Sequence, residues 1–217
     1  MNYSPRLILA STSPRRRELL ALLGLPFEVI ASEFDEFALS PQGIAPEDYV
    51  MTLARGKAAE VAARVGGEAV VLGADTTVVL DGVFLNKPAD DADAARMLRA
   101  LSGRSHQVYT GLCLIHGAEV QAEYAVTDVT FDTLADAVIA AYLATGEPRD
   151  KAGAYGIQGR ALSFIPSIHG DYFNVVGLPL DLLRRLLLPS FPDIEPAPTQ
   201  PPFPALDCYN RIKEIFT

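Results

Sequence analysis

The chain has 217 residues, of which 49% are hydrophobic, so it is long enough to bury one full core or two lobes that share a cleft. Its net charge is −9 and its isoelectric point is near 4.8, which argues against nucleic acid or an anionic membrane as the main partner. Cys113 and Cys208 form no motif, and the sequence shows neither a signal peptide nor an apolar run of transmembrane length. We therefore expect a cytoplasmic protein in a reducing setting.

A strand–turn–helix unit near the N-terminus is the first strongly patterned stretch. Residues 7–10 are apolar and predict a short strand, and Ser13 and Pro14 suit the N-cap and the first helical position. The apolar residues that follow predict a helix, which Gly24 and Pro26 end.

The charge at the start of this helix is unusual. Arg15, Arg16 and Arg17 occupy the first turn, where each cation opposes the helix dipole at a cost of about 0.3–1 kcal/mol. Helix N–H groups and guanidinium groups together bind phosphate well, so a phosphate group that is not part of the chain would offset this cost. A solvated basic patch, tolerated at a small cost, is the alternative.

A second strand is predicted over residues 27–31, and a helix over residues 47–65. Lys57 lies on the apolar stripe of this helix, where a lysine usually extends its ammonium group to the solvent. Gly56 beside it costs the helix about 1 kcal/mol relative to alanine. Between the strand and the helix lies an acidic cluster that comprises Glu33, Asp35 and Glu36.

Asp75 lies within a strongly apolar stretch, residues 69–80, that predicts a strand returning through an Asp-Gly hairpin. A buried aspartate needs a metal, a cation partner or a capping role. Lys87 follows the hairpin, just before a helix that Asp90 opens and that runs to residue 101. A purely structural lysine–aspartate pair is the alternative to a functional carboxylate here.

The second half of the chain begins with two long strands, residues 106–115 and 119–131, that predict an antiparallel hairpin. Thr133 and Asp136 have the spacing of a capping box for a helix to residue 145. The glycine-rich residues 150–160 indicate a backbone that passes close to a ligand, although they match no Walker or dinucleotide pattern.

A last helix is predicted to end at residue 188, and the composition then changes. Seven of the 16 prolines fall after this point. We therefore predict a domain over residues 1–188 and a proline-rich extension over residues 189–217, with a linker to residue 204 and a possible short helix over residues 205–216.

Seven blocks in one order, across residues 7–187, resemble the Maf family of nucleotide pyrophosphatases. The blocks are Leu-Ala-Ser-x-Ser-Pro-Arg-Arg-x-Glu-Leu-Leu, Leu-Ala-Arg-x-Lys-Ala, Gly-Ala-Asp-Thr, Lys-Pro, Leu-Ser-Gly-Arg-Ser-His, Asp-Lys-Ala-Gly-Ala-Tyr-Gly-Ile-Gln-Gly and Val-Val-Gly-Leu-Pro. The resemblance implies an α/β fold similar to that of inosine-triphosphate pyrophosphatases, with an elongated mixed β-sheet, flanking helices and a cleft between two lobes. Gly56, where the family commonly has glutamate, and Ala161, where glycine is usual, depart from its pattern.

The resemblance also implies a cytoplasmic homodimeric enzyme that splits a nucleoside triphosphate into the monophosphate and pyrophosphate with Mg²⁺ or Mn²⁺. By position, Asp75 is then the catalytic base, and Glu33 joins it at the metal. The implied phosphate-binding residues are Ser11, Arg15, Arg16, Lys57 and Lys87.

In the family that the chain resembles, three positions divide the members by substrate, and here they hold Arg15, Thr76 and Gln158. This set resembles the branch that acts on dTTP and UTP, whereas the branch that acts on 7-methyl-GTP carries an aromatic residue, Gln and Glu. The amide of Gln158 can both donate and accept, which suits O4 and N3–H of thymine or uracil.

Two other function classes remain open at this point. A regulator that binds a nucleotide without hydrolysing it would use the same phosphate-binding residues, but it would gain nothing from Asp75 facing a triphosphate. A nucleic-acid modification factor fits poorly with the net charge of −9 and the lack of a basic face.

Overall fold

The computed structural model describes residues 5–198, which form a mixed seven-stranded β-sheet flanked by helices. The strands are β1 (Arg6–Leu9), β2 (Phe27–Val29), β3 (Ala69–Leu80), β4 (Val83–Leu85), β5 (Ser105–His116), β6 (Glu119–Thr130) and β7 (Ser167–His169). The helices are α1 (Pro14–Ala21), α2 (Pro46–Val65), α3 (Asp91–Leu101), α4 (Asp136–Leu143), α5 (Tyr172–Val176) and α6 (Leu180–Leu187). Among residues 5–198, none of these helices combines the length and the apolar character needed to cross a membrane.

The sheet has the strand order β2-β1-β3-β5-β6-β7, and β4 pairs with β3. Strand β1 is parallel to both β2 and β3, whereas β4 is antiparallel to β3 and β7 is antiparallel to β6. The predicted α/β fold with a mixed sheet is therefore confirmed, and the predicted cleft stays a prediction.

The described chain divides into two compact units. The first comprises residues 5–76, 109–125 and 177–198, and the second comprises residues 77–108 and 126–176. Strands β3, β5 and β6 contribute residues to both units.

In the first unit, helix α2 packs directly on the sheet because two strand positions are glycine. A Cβ atom at Gly73 in β3 would lie 2.1 Å from the carbonyl oxygen of Ala54, and one at Gly111 in β5 would lie 2.5 Å from the carbonyl carbon of Val50. Real Cβ atoms do not approach other atoms so closely, so larger residues would force the helix away from the sheet. This close packing brings the polar residues of α2 within reach of β3.

Most predicted turns and caps are confirmed. Asp81 and Gly82 have φ angles of 50° and 77°, as a two-residue hairpin requires, and Asp90 caps α3 by accepting from the backbone N–H of Asp93 at 2.8 Å.

The predicted capping box of α4 is wrong, because this helix begins after Ala135 and has no side-chain cap. The preceding residues are bound elsewhere. The N–H of Leu134 donates to Ser102 Oγ at 2.7 Å, and the carbonyl of Asp132 accepts from Gly103 at 3.0 Å.

The first part of the predicted extension packs onto the first unit. Phe191 and Ile194 are each only 5% exposed, and Arg184 Nε in α6 donates to the carbonyl of Glu195 at 2.9 Å. These contacts lie within the predicted linker, and the domain boundary at residue 188 stays a prediction. The helix predicted over residues 205–216 lies outside the described residues.

Candidate active site

Two serines shape the corner between β1 and α1. The N–H of Ala10 donates to the carbonyl of Leu72 at 2.8 Å, which keeps the end of β1 beside β3. Ser11 is buried and its Oγ accepts from the N–H of Ser13 at 3.2 Å, while Ser13 Oγ accepts from the N–H of Arg16 at 3.4 Å. Helix α1 therefore begins close to the end of β1, where β1 runs parallel to β3. The predicted N-cap at Ser13 is confirmed.

Arg16 is held in a defined orientation by two acceptors. Its Nε donates to the carbonyl of Gly177 at 2.9 Å, and its Nη2 donates to Thr76 Oγ1 at 3.0 Å. The pKa of Arg16 is lowered by burial, and the nearby carboxylates of Asp75 and Glu36 only partly oppose this shift. An arginine nevertheless stays charged in proteins, so a fixed cation lies close to two carboxylates.

Lys57 links these two carboxylates. Its Nζ lies 2.6 Å from Asp75 Oδ1 and 3.1 Å from Glu36 Oε1. The side chains of Lys57 and Asp75 are only 9% and 10% exposed, so Lys57 does not extend to the solvent. The cation that pairs with Asp75 is therefore Lys57 rather than Lys87, and the pair joins α2 to β3.

The second carboxylate beside Asp75 belongs to Glu36 rather than to Glu33. Glu33 is exposed, and its backbone N–H donates to Glu60 Oε2 at 2.9 Å. The loop with Glu36 packs through Phe34, because a Cβ atom at Gly56 would lie 2.4 Å from the Phe34 ring. Gly56 therefore accommodates Phe34, which explains this departure from the family pattern.

The remaining predicted site residues have different surroundings. Arg15 is half-buried and adjoins Arg16 in the first turn of α1. Lys87 and Gln158 are exposed and belong to the second unit. Lys87 follows Asn86, whose Oδ1 accepts from Thr77 Oγ1 at 2.7 Å, so the corner before Lys87 is fixed to β3.

The carboxylates of Asp75 and Glu36 are the oxygen donors next to Lys57. Within residues 5–198, no group of three or more His, Cys, Asp or Glu side chains is placed to hold a metal ion. Asp75 and Glu36 both lie against Lys57 Nζ, so an ammonium group already occupies the point on which they converge. Mg²⁺ commonly takes one or two carboxylates and completes its octahedron with substrate phosphates and water, so such an ion would use the carboxylate oxygens that Lys57 does not bind.

The sequence of this chain is similar to those of known proteins over most of its length. The family described as Maf-like protein matches residues 6–189. The chain belongs to the Maf family. It is 55% identical to a protein of Symbiobacterium thermophilum named dTTP/UTP pyrophosphatase, over 84% of this chain and 92% of that protein. Proteins with the same name from Moorella thermoacetica and Thermococcus gammatolerans are 53% and 51% identical, over 84% and 83% of this chain and 93% and 94% of theirs.

A solved structure, the Ham1 protein of Staphylococcus aureus, aligns with a TM-score of 0.41 and 14% identity, over 58% of this chain and 71% of that one. The fold of this Maf chain is defined by its own mixed sheet.

Three residues of this Maf site were not found from the sequence. Glu36 was visible within the acidic cluster, but its spacing did not distinguish it from Glu33. Thr110 Oγ1 lies 2.9 Å from Thr76 Oγ1 and supports the acceptor that holds Arg16. Gly177 lies in a recognised block, but no sequence signal indicates that its carbonyl binds a residue 161 positions earlier.

Proposed function

We propose that this protein is a nucleoside triphosphate pyrophosphatase that hydrolyses dTTP and UTP to the nucleoside monophosphate and pyrophosphate. The observation that carries the proposal is the buried Asp75 carboxylate, which Lys57 orients beside Arg16 at the start of α1. The names of relatives that are more than half identical in sequence support the same activity.

The triphosphate binds through cations near the start of α1. The charges of Arg15 and Arg16 neutralise phosphate oxygens, with Lys87 as a further cation. The Ser11 hydroxyl is an additional donor. Binding the substrate offsets the unfavourable placement of arginines at the positive end of the helix dipole.

Asp75 accepts the proton of the attacking water. Lys57 donates to one of its oxygens, Oδ1, so the carboxylate is held in a fixed orientation while Oδ2 remains available as a base. Asp75 and Glu36 would hold the Mg²⁺ or Mn²⁺ ion, and we propose Glu36 in place of Glu33 for this role. Such an ion supplies charge neutralisation at the phosphate oxygens.

The residues that select the nucleotide base are Arg15, Thr76 and Gln158. A site that hydrogen-bonds a particular base edge rejects other bases, because mismatched polar groups lose their partners on burial. The amide of Gln158 suits the O4 and N3–H of uracil and thymine. Thr76 is already engaged by Arg16 and Thr110, so it affects the base through its small size rather than through a free hydroxyl.

Hydrolysis of dTTP in ¹⁸O-labelled water with Mg²⁺ or Mn²⁺ tests this proposal. We expect equal amounts of dTMP and pyrophosphate, with the label in dTMP because water attacks the α-phosphorus. Chelation of the metal should abolish the reaction. Label in pyrophosphate would contradict attack at the α-phosphate, and nucleotide binding without turnover would favour the non-hydrolysing regulator.

Homodimer formation also stays a prediction, and light scattering in solution tests it.

A further inference from the structure

One carboxylate holds both ends of the loop that carries Gln158. The N–H of Gly156 donates to Tyr142 Oη at 3.2 Å, and Tyr142 Oη donates to Glu147 Oε1 at 2.9 Å. The other oxygen, Glu147 Oε2, accepts from the N–H of Arg160 at 3.2 Å. Glu147 therefore connects the backbone before Gln158 to the backbone after it.

The loop lies directly on this carboxylate. A Cβ atom at Gly159 would be 2.1 Å from Glu147 Oε1, so a larger residue there would displace the Glu147 carboxylate. The N–H of Gly159 donates to the carbonyl of Gly156 at 3.0 Å and closes a tight turn. Within the turn Ile157 is buried and Gln158 is exposed, so the Gln158 amide is presented at a corner whose backbone is fixed.

Glu147 is itself well anchored. Its N–H donates to Thr145 Oγ1 at 3.1 Å, and its carbonyl accepts from Lys151 Nζ at 2.7 Å. Tyr142 is buried and packs edge-on against Phe164, with ring centroids 5.2 Å apart. All of these contacts join residues between Tyr142 and Phe164.

We infer that Glu147 is a positioning residue for base selection, acting through the turn that presents Gln158. This inference rests on the proposed function, because Gln158 must first read the base. Discrimination by a side-chain amide requires its donor and acceptor to be held within about 0.5 Å of the productive position. Without Glu147, both the N–H of Arg160 and the hydroxyl of Tyr142 lose their acceptor. The turn that carries Gln158 then gains alternative conformations.

The test is the ratio of kcat/KM for UTP to kcat/KM for CTP, two nucleotides whose bases differ only at the N3 and C4 edge. We expect Glu147→Ala to lower this ratio about tenfold, mainly through UTP, as expected for the loss of one specific hydrogen-bonding contact. Glu147→Gln keeps one acceptor and should give a smaller loss. Arg149 lies in the same turn as Glu147 and forms an exposed ion pair with Asp91. Arg149→Ala removes this ion pair, is the matched control and should leave the ratio unchanged.

A second arm separates positioning from general support of the fold. In a Gln158→Ala background, Glu147→Ala should not lower the UTP/CTP ratio further, because no amide remains to be positioned. Tyr142→Phe keeps the ring packing but removes the hydrogen bond to Gly156, so in the wild-type background it should lower the UTP/CTP ratio. This variant tests the inference even if the Glu147→Ala protein does not fold. Equal losses for UTP and CTP in the Glu147 variants would overturn the inference alone. A wild-type protein without preference for UTP would overturn the proposed base selection and this inference with it.

Discussion

The Asp75→Asn variant is expected to turn over dTTP at least about 10²-fold more slowly than the wild type while keeping its fold, which is the usual size of a lost general base. Asparagine has nearly the same volume as aspartate, and its amide oxygen can still accept from Lys57 Nζ, so the packing of β3 against α2 is preserved. The amide cannot take a proton from the attacking water. Steady-state release of pyrophosphate from dTTP measures the effect.

Asp81→Asn is the control for this substitution. Asp81 lies in the hairpin after the same strand, is exposed, and is followed by Gly82. Asn-Gly suits this turn as well as Asp-Gly does, so turnover should not change. If Asp75→Asn retained near-wild-type turnover, Asp75 would lose its assignment as the base.

The Lys57→Met variant is expected to lose about 3–5 kcal/mol of unfolding free energy, the cost of leaving a buried ion pair with one partner missing. Methionine fills most of the space of the lysine stem but leaves Asp75 buried without its ammonium partner. Glu36 loses the same contact. Equilibrium unfolding in urea measures the loss, and activity should fall because Asp75 is no longer oriented.

Lys87→Met is the matched control for stability, because Lys87 is exposed and surface substitutions usually change stability by less than about 0.5 kcal/mol. The double variant Lys57→Met with Asp75→Asn should be less destabilised than the sum of the two single variants, because it contains no unpaired Asp75 charge. Additive losses would show that the two side chains are not energetically coupled.

Features determined by neighbouring residues could be predicted from the sequence. The Ser13 cap, the Asp81–Gly82 turn and the capped start of α3 depend on a few adjacent residues, and all three are confirmed. The same is true of the long apolar strand around Asp75, because its burial follows from the run of apolar residues on either side.

Features determined by distant contacts could not be predicted. Whether Glu33 or Glu36 approaches Asp75 depends on how Phe34 packs against Gly56, which no local spacing records. One of the two acceptors of Arg16 is the carbonyl of Gly177, which lies 161 positions away in the sequence. The buried Phe191 belongs to the same class, since its segment reads as a linker by composition.

The most direct test of the proposed function is a competition between dTTP, UTP and 7-methyl-GTP at equal concentrations in one reaction with Mg²⁺, with the three monophosphates measured over time. The proposal predicts that dTMP and UMP form first and that 7-methyl-GMP forms slowly, because Thr76 and Gln158 suit the pyrimidine edge. Preferential formation of 7-methyl-GMP would contradict the assignment to dTTP and UTP.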